Sequence, residues 1–409
     1  MYPLIPNLFY ASGSMPHRHA RFESMNIHTF LTRDPAAPAD AVFIREGVST
    51  FSRADLERES ARHATLFTSL GFTPGERVAA WLDQSPQMLF LYFGVLRAGL
   101  VFVPLPPGAG KEELAHILRG TTPRAIVCGT GNEAAMQSLA PDAKVYGTAA
   151  LTETLNEALP AAGPFETVAR SDNDLALVRY APRRPDGVML SHANLAFNAA
   201  AVEKSWALTG DYTLLSCLPE PEIAAWHAAL LTGASLQLHP AAEVKGLIAG
   251  WSDVTVLMGA PALYEQLLAD PALASDNCRH IRLFLSGTAP LPARTFNDFQ
   301  TRSAQAIVEY YGVPEGGILV SSPVDGERRA GKAGLRLPEH RLRIVGANLK
   351  PMPFDHVGDI VIQGPNVCQG YWNNRARTEA AWQADGWFRT GDTGSWDEDG
   401  YITITTTTA

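Results

Sequence analysis

The run GWFRTGDTGSWDEDGY, residues 386–401, says more about this chain than any other. Taken by itself, its Asp392 reads as a turn aspartate between a strand and a loop. An ionised carboxylate in that place can accept two charge-assisted hydrogen bonds, which are the strong kind. Just upstream lie short alternating segments, Leu342-Arg343-Ile344-Val345 and Asp359-Ile360-Val361-Ile362, separated by Gly and Pro. Their period of two predicts a small β-barrel over about residues 316–404.

Before residue 316 the texture changes to α/β. VFIREGVSTF (42–51) predicts a hairpin turning at Glu46-Gly47. Ser52-x-x-Asp55 then opens a helix whose apolar face carries Leu56, Ala64, Leu66, Phe67 and Leu70, and Gly71 stops it. A buried strand follows at 77–82, and Ser85-Pro86 starts the next helix, with Pro in the first turn. Strand 98–105, helix 111–119 and strand 124–128 continue the alternation. Such βαβ units imply a largely parallel, doubly covered sheet. A Pro/Ala/Gly-rich stretch at 159–164 marks a loop. A second α/β unit is expected over about 190–315, after a first over 25–189, with strands near 254–257 and 282–285.

The 409 residues, 46% of them hydrophobic, are enough for several packed units. A formal charge of -9 argues against a nucleic-acid binder and against a basic membrane-surface protein. The most apolar window, 88–105, is interrupted by Arg97, Gly99 and Pro104, too broken to cross a bilayer. No basic n-region precedes an apolar core, so a cytoplasmic protein is expected. Cys128, Cys217, Cys278 and Cys368 are far apart and fit buried apolar roles in a reducing compartment. The eleven histidines, His17 and His19 among them, lack partners at ligand spacing, and no structural metal is expected. Residues 1–24 form an unmatched extension, with Met25 a second candidate start, and 405–409 read as a tail.

Seven segments together carry a family resemblance. They are ERVAAWLDQSPQMLFLYFGVLRAGLVFVPL (76–105), PDGVMLSHANL (185–195), VTVLMGAPALYEQLL (254–268), IRLFLSGTAPL (281–291), EYYGVPEGG (309–317), GDIVIQGPNVCQGYW (358–372) and GWFRTGD (386–392). In this order they resemble the large domain of the adenylate-forming acyl-CoA synthetase superfamily, most closely malonyl-CoA synthetases. The resemblance implies two doubly covered, mostly parallel sheets plus a small β-barrel. It also implies a ligase of fatty acid metabolism that joins a small carboxylate such as malonate to AMP from ATP with Mg²⁺, then to CoA. In relatives the chain continues through a Gly-Arg-x-x-Asp hinge into a mobile domain carrying a catalytic lysine. Here Ile402-Thr403-Ile404 is followed by threonines and Ala409, so the expectation is the large domain with the mobile C-terminal domain absent.

Carried over by motif, Asp392 matches the aspartate that receives the ribose hydroxyls. Ser286, Gly287, Thr288, Ala289 and Pro290 match the adenine-pocket segment, with Tyr311 and Gly312 beside it. Glu315 matches the carboxylate that holds Mg²⁺ against the phosphates. For Asp392 a turn role, and for 286–290 a strand-end turn, stay open.

Elsewhere the chain departs from the family. Where relatives have a Ser/Thr/Gly phosphate loop ending in Lys-Gly, this chain reads Tyr180-Ala181-Pro182-Arg183-Arg184-Pro185-Asp186-Gly187. Prolines have no N–H to offer a phosphate, and Asp186 would repel it. Arg183 and Arg184 could bind phosphate or be solvated loop arginines, and the solvated reading is preferred. A His-Thr-His-Gly element is missing after Leu218-Pro219, leaving His227 as a structural histidine or a displaced remnant. Pro314 replaces a threonine, and Tyr310 stands where malonate-activating relatives place an arginine. Three readings stay open: a slow ligase, one completed by a separate C-terminal domain; a non-catalytic scaffold for nucleotide, acyl group or protein; and a truncated product.

Overall fold

A computed structural model describes residues 25–33, 36–159, 163–181, 184–218, 222–239, 244, 246–383 and 385–406. Arg183 and residues 1–24 lie outside the described residues.

Element ends follow local chemistry. The Ser52 hydroxyl accepts the Asp55 N–H while the Asp55 carboxylate accepts the Ser52 N–H at 2.7 Å, a complete capping box for the helix Arg53–Ser69. Ser85 caps the helix Pro86–Arg97, and Pro86 lies in the first turn, where a missing N–H costs no helical bond. Strands β1 (Val42–Glu46) and β2 (Ser49–Ser52) form the expected hairpin. The βαβ alternation then supplies β3 (Arg77–Trp81), β4 (Val101–Pro104), β5 (Ala125–Cys128) and β6 (Lys144–Gly147). A second hairpin, β7 (Leu175–Arg179) and β8 (Val188–Ser191), follows.

Next come β9 (Thr213–Ser216), β10 (Ser235–Leu238), β11 (Val256–Gly259) and β12 (Leu283–Ser286). They lead to β13 (Val308–Val313), β14 (Gly317–Ser321) and the short β15 (Leu335–Arg336). The last strands are β16 (Arg341–Val345), β17 (Gly358–Gln363), β18 (Phe388–Trp396) and β19 (Ile402–Thr406).

Two large sheets result. One has six strands in the order β6-β5-β3-β4-β7-β8, parallel apart from the β7–β8 pair. The other has nine, in the order β15-β14-β13-β12-β11-β9-β10-β1-β2, with a parallel centre and antiparallel pairs at both ends. The third unit is four antiparallel strands, β16-β17-β18-β19.

Sheet membership departs from the sequence expectation in three places. The β1–β2 hairpin, read as part of the first unit, pairs in parallel with β10 of the nine-stranded sheet, Ile44 opposite Leu236. β14 and β15, read as part of the third unit, also belong to that sheet. β19 extends through residues read as tail. A period of two specifies a strand and its inward face, but not the sheet edge that receives it.

Two features bind the units together. Tyr92, on the helix Pro86–Arg97, packs edge-on against Phe93 and Phe102 at 5.1 Å and against Trp226 of the helix Ile223–Thr232 at 6.1 Å. Such pairs contribute about 0.5–1.5 kcal/mol each beyond area burial. The 368–372 segment runs along β8: the Gln369 N–H donates to Met189, the Met189 N–H to Gly370, and the Trp372 N–H to Gly187. This edge pairing brings the loop between β7 and β8 against the turn between β13 and β14.

Candidate functional site

The β13–β14 hairpin turns through Pro314, Glu315 and Gly316. Just before the turn, the Tyr311 hydroxyl donates to an Asp392 oxygen at 2.8 Å, joining β13 to β18. Asp392 is only 2% exposed, and its own N–H donates to the Thr390 hydroxyl. Burial, together with the Asp392 charge, raises the Tyr311 phenol well above its ordinary value, so Tyr311 stays a donor. Sequence reading named both residues separately, and the fold brings them into contact.

Glu315 is 1% exposed. Its Oε1 accepts the Tyr371 hydroxyl at 2.8 Å and faces an Arg184 guanidinium nitrogen at 3.3 Å, while Oε2 has no partner among the described residues. The Cys368 N–H donates to the Glu315 carbonyl at 2.8 Å. Arg184 is therefore an ion-pair partner with 14% side-chain exposure, and the solvated-loop reading is corrected. Closure of the β7–β8 loop by the 368–372 segment places it there. Arg184 and Tyr371 take up Oε1 of Glu315, while its buried Oε2 has no partner among the described residues, so one carboxylate oxygen would be left to hold a Mg²⁺ ion with its water shell. Among the described residues no cluster of three His, Cys, Asp or Glu could hold a metal.

Asp186 is committed too. It accepts from Asn374 Nδ2 at 2.7 Å and pairs with Arg377 Nε at 2.8 Å, at the start of the helix Arg375–Ala381. The repelling carboxylate expected from sequence is thus neutralised by the protein itself. Tyr180 lies under this loop, its phenol pushed up to about 12 by burial and then by the Asp186 charge. A Cβ on Gly187 would come within 2.5 Å of the Tyr180 ring, so only glycine fits.

In the adenine-pocket segment, Ser286 is fully buried with its hydroxyl unpartnered among the described residues, whereas Thr288, Ala289 and Pro290 are exposed. Gly287 lies against Tyr310, whose ring would be 2.1 Å from an added Cβ. Tyr310 itself is buried, packed edge-on to Trp206 at 5.5 Å. Gly312 is exposed on β13.

Sequence reading missed Glu309. It is opposite Ser286 in the β12–β13 register and 6% exposed, with Oε2 unpartnered among the described residues. Burial raises its carboxyl to about 7, against a lowering backbone bond from Leu291. The only sequence signal was its place before Tyr310-Tyr311 in a strand destined for burial. His227, left open between two roles, is fully buried, bonds Tyr92 at 2.8 Å and is driven down to about 3 by burial, so it is neutral.

Two cavities flank these groups. A small one, about 30 Å³, is lined by Arg179, Asn198, Glu222, His227, Pro314 and Asn366 among others. A larger cleft of about 930 Å³ opens beside Trp81, Asp83 and Gly129, beyond the carboxyl ends of β3 and β5. That is where the strand order of the six-stranded sheet reverses, but the cleft touches none of the residues carried over for the nucleotide, phosphate or metal.

The family model described as AMP-binding enzyme matches residues 31–372. A feruloyl-CoA synthase from an Amycolatopsis species is 30% identical over 408 residues, covering 96% of this chain and 77% of its own. A malonate–CoA ligase from Arabidopsis thaliana is 24% identical, covering 98% and 76%. ATP-bound MatB from Rhodopseudomonas palustris superimposes with a TM-score of 0.86 at 31% identity, covering 93% of this chain and 78% of that one. With the matched residues spanning most of the chain and both large sheets, this protein belongs to the AMP-binding enzyme family of CoA ligases.

Proposed function

We propose that this chain is an AMP-dependent acyl-CoA synthetase-like protein, of the malonyl-CoA synthetase type, that binds the adenosine monophosphate part of the substrate and activates carboxylates with ATP poorly. The carrying observation is the clasp of Asp186 by Asn374 and Arg377, which commits the loop at the phosphate position to the protein's own helix. The adenosine side, by contrast, keeps Asp392 buried beside Tyr311, with Gly287 and the exposed 288–290 edge close by in sequence to the same strands. ATP would supply the adenylyl group and CoA the thiol; this chain's residues would hold the ribose at Asp392 and position the acyl group near Pro314.

A small carboxylate such as malonate, the substrate named for relatives this chain resembles, is the proposed acyl group. No described helix is long and apolar enough to cross a membrane. A cytoplasmic location, without nucleic-acid or membrane partners, forms part of the same proposal. The test pairs calorimetry of AMP binding with malonate-dependent ATP–pyrophosphate exchange on one sample. AMP binding with little or no exchange supports the reading. Brisk exchange would overturn the impaired-adenylation reading, and a folded protein that ignores AMP would overturn the nucleotide reading itself.

A further inference from the structure

Tyr371 belongs to a segment, 358–372, that carried the family resemblance without a role of its own. The fold gives its phenol a definite task. The hydroxyl donates to Glu315 Oε1 at 2.8 Å, and an Arg184 nitrogen meets the same oxygen at 3.3 Å. Glu315 Oε2 is buried and has no partner among the described residues. The last torsion of a glutamate is broad and soft, so one carboxylate oxygen keeps its aim only when the other is pinned. A phenol pins it by a hydrogen bond alone and adds no positive charge to repel an incoming cation.

Tyr371 is itself held in place. It is buried, its N–H donates to the Thr378 hydroxyl at 2.9 Å, and the Arg377 guanidinium lies over its ring at 5.0 Å. Both partners come from the helix Arg375–Ala381, which also clasps Asp186. A hard divalent cation commonly stands on one carboxylate and a nucleotide phosphate, with water filling its other positions. One fixed, open oxygen on Glu315 meets that need.

We infer that Tyr371 is a positioning residue for the divalent cation of a bound nucleotide: by holding Oε1 it leaves Oε2 as the oxygen that Glu315 presents to the ion. The inference rests on the nucleotide reading above and deepens it by naming the side chain that orients the metal ligand. Groups that orient a metal ligand in this way typically govern metal affinity by about 10–100-fold.

The test uses Mn²⁺ as the probe, its free-ion electron paramagnetic resonance signal reporting uptake by the full chain saturated with AMP. AMP without protein sets the baseline, and AMP affinity is measured separately in EDTA by calorimetry. Wild type with AMP should take up more Mn²⁺ than AMP alone, and Glu315→Gln should lose that excess. Tyr371→Phe should weaken Mn²⁺ about tenfold or more while AMP affinity in EDTA stays within twofold. Thr378→Val, which unseats Tyr371 through its N–H, should move Mn²⁺ affinity the same way by less. Matched thermal unfolding midpoints show that the variants are folded. Wild-type Mn²⁺ uptake no greater than that of AMP alone overturns the inference and leaves the nucleotide reading standing. So does a Tyr371→Phe protein that holds Mn²⁺ as wild type does, or a Glu315→Gln protein that keeps the excess. A folded wild type that ignores AMP in EDTA removes the nucleotide reading and this inference with it.

Discussion

At the scale of single residues, burial rather than exposure sets the chemistry of this site. Glu309 is held protonated to about pH 7 because its carboxylate would be stranded under the β12–β13 edge. The unfolded chain gives up that proton near the ordinary value of 4.5, the folded chain only near 7. Folding stability therefore falls as pH rises between those values and levels off above. Between pH 5 and pH 8, wild type should lose on the order of 2–3 kcal/mol that Glu309→Gln does not lose, read by urea unfolding at both pH values. Parallel pH trends in the two proteins would mean that Glu309 ionises freely. Gly287 makes a second residue-scale case. Gly287→Ala drives a Cβ into the Tyr310 ring and should cost about 1–3 kcal/mol, much of it recovered when Tyr310→Ala is added. Unfolding of the double-mutant cycle measures that coupling. The sequence showed Gly287 only as part of the adenine-pocket segment; in the fold, Tyr310 comes close against it.

Among the elements, ends were the most legible part. Ser52 and Asp55 announced a helix start, and both halves of the capping box formed. Ser52→Ala should cost about 0.5–2 kcal/mol, measured by thermal or urea unfolding. Ser85-Pro86 was equally readable, because a cap is written in three or four neighbouring residues. Tertiary partners were not readable in this way. Nothing near Asp186 in sequence points to Asn374 and Arg377, nearly two hundred positions away, and without them the aspartate looked like a repelling group. Removing the clasp with Asp186→Ala should speed amide exchange in residues 187–189 and 372–378 while leaving the parallel sheet centres protected. Unchanged exchange in both segments would mean that the edge pairing along β8 alone holds the loop.

Across the whole molecule, the α/β class and the sheet rhythm followed from periodicity, because parallel strands between helices leave a repeated local pattern. The assignment of β1–β2 to the nine-stranded sheet did not, since it depends on Ile44 meeting Leu236. The Tyr92–Trp226 contact and the 368–372 edge pairing bind the three units at separate points. Unfolding followed by tryptophan fluorescence and by far-UV circular dichroism should therefore give coincident midpoints. Separated midpoints would show that the units melt independently.

The placement of Cys368 also makes the site its own clock. Its thiol is buried and pushed up to about 12, chiefly by burial, and its N–H is bonded to the Glu315 carbonyl. A thiol reagent can reach that sulfur only when the 368–372 segment lifts away from the turn that carries Glu315. The modification rate at Cys368 thus counts how often the pocket breathes open, and a nucleotide that seats there would be seen as a slower tick.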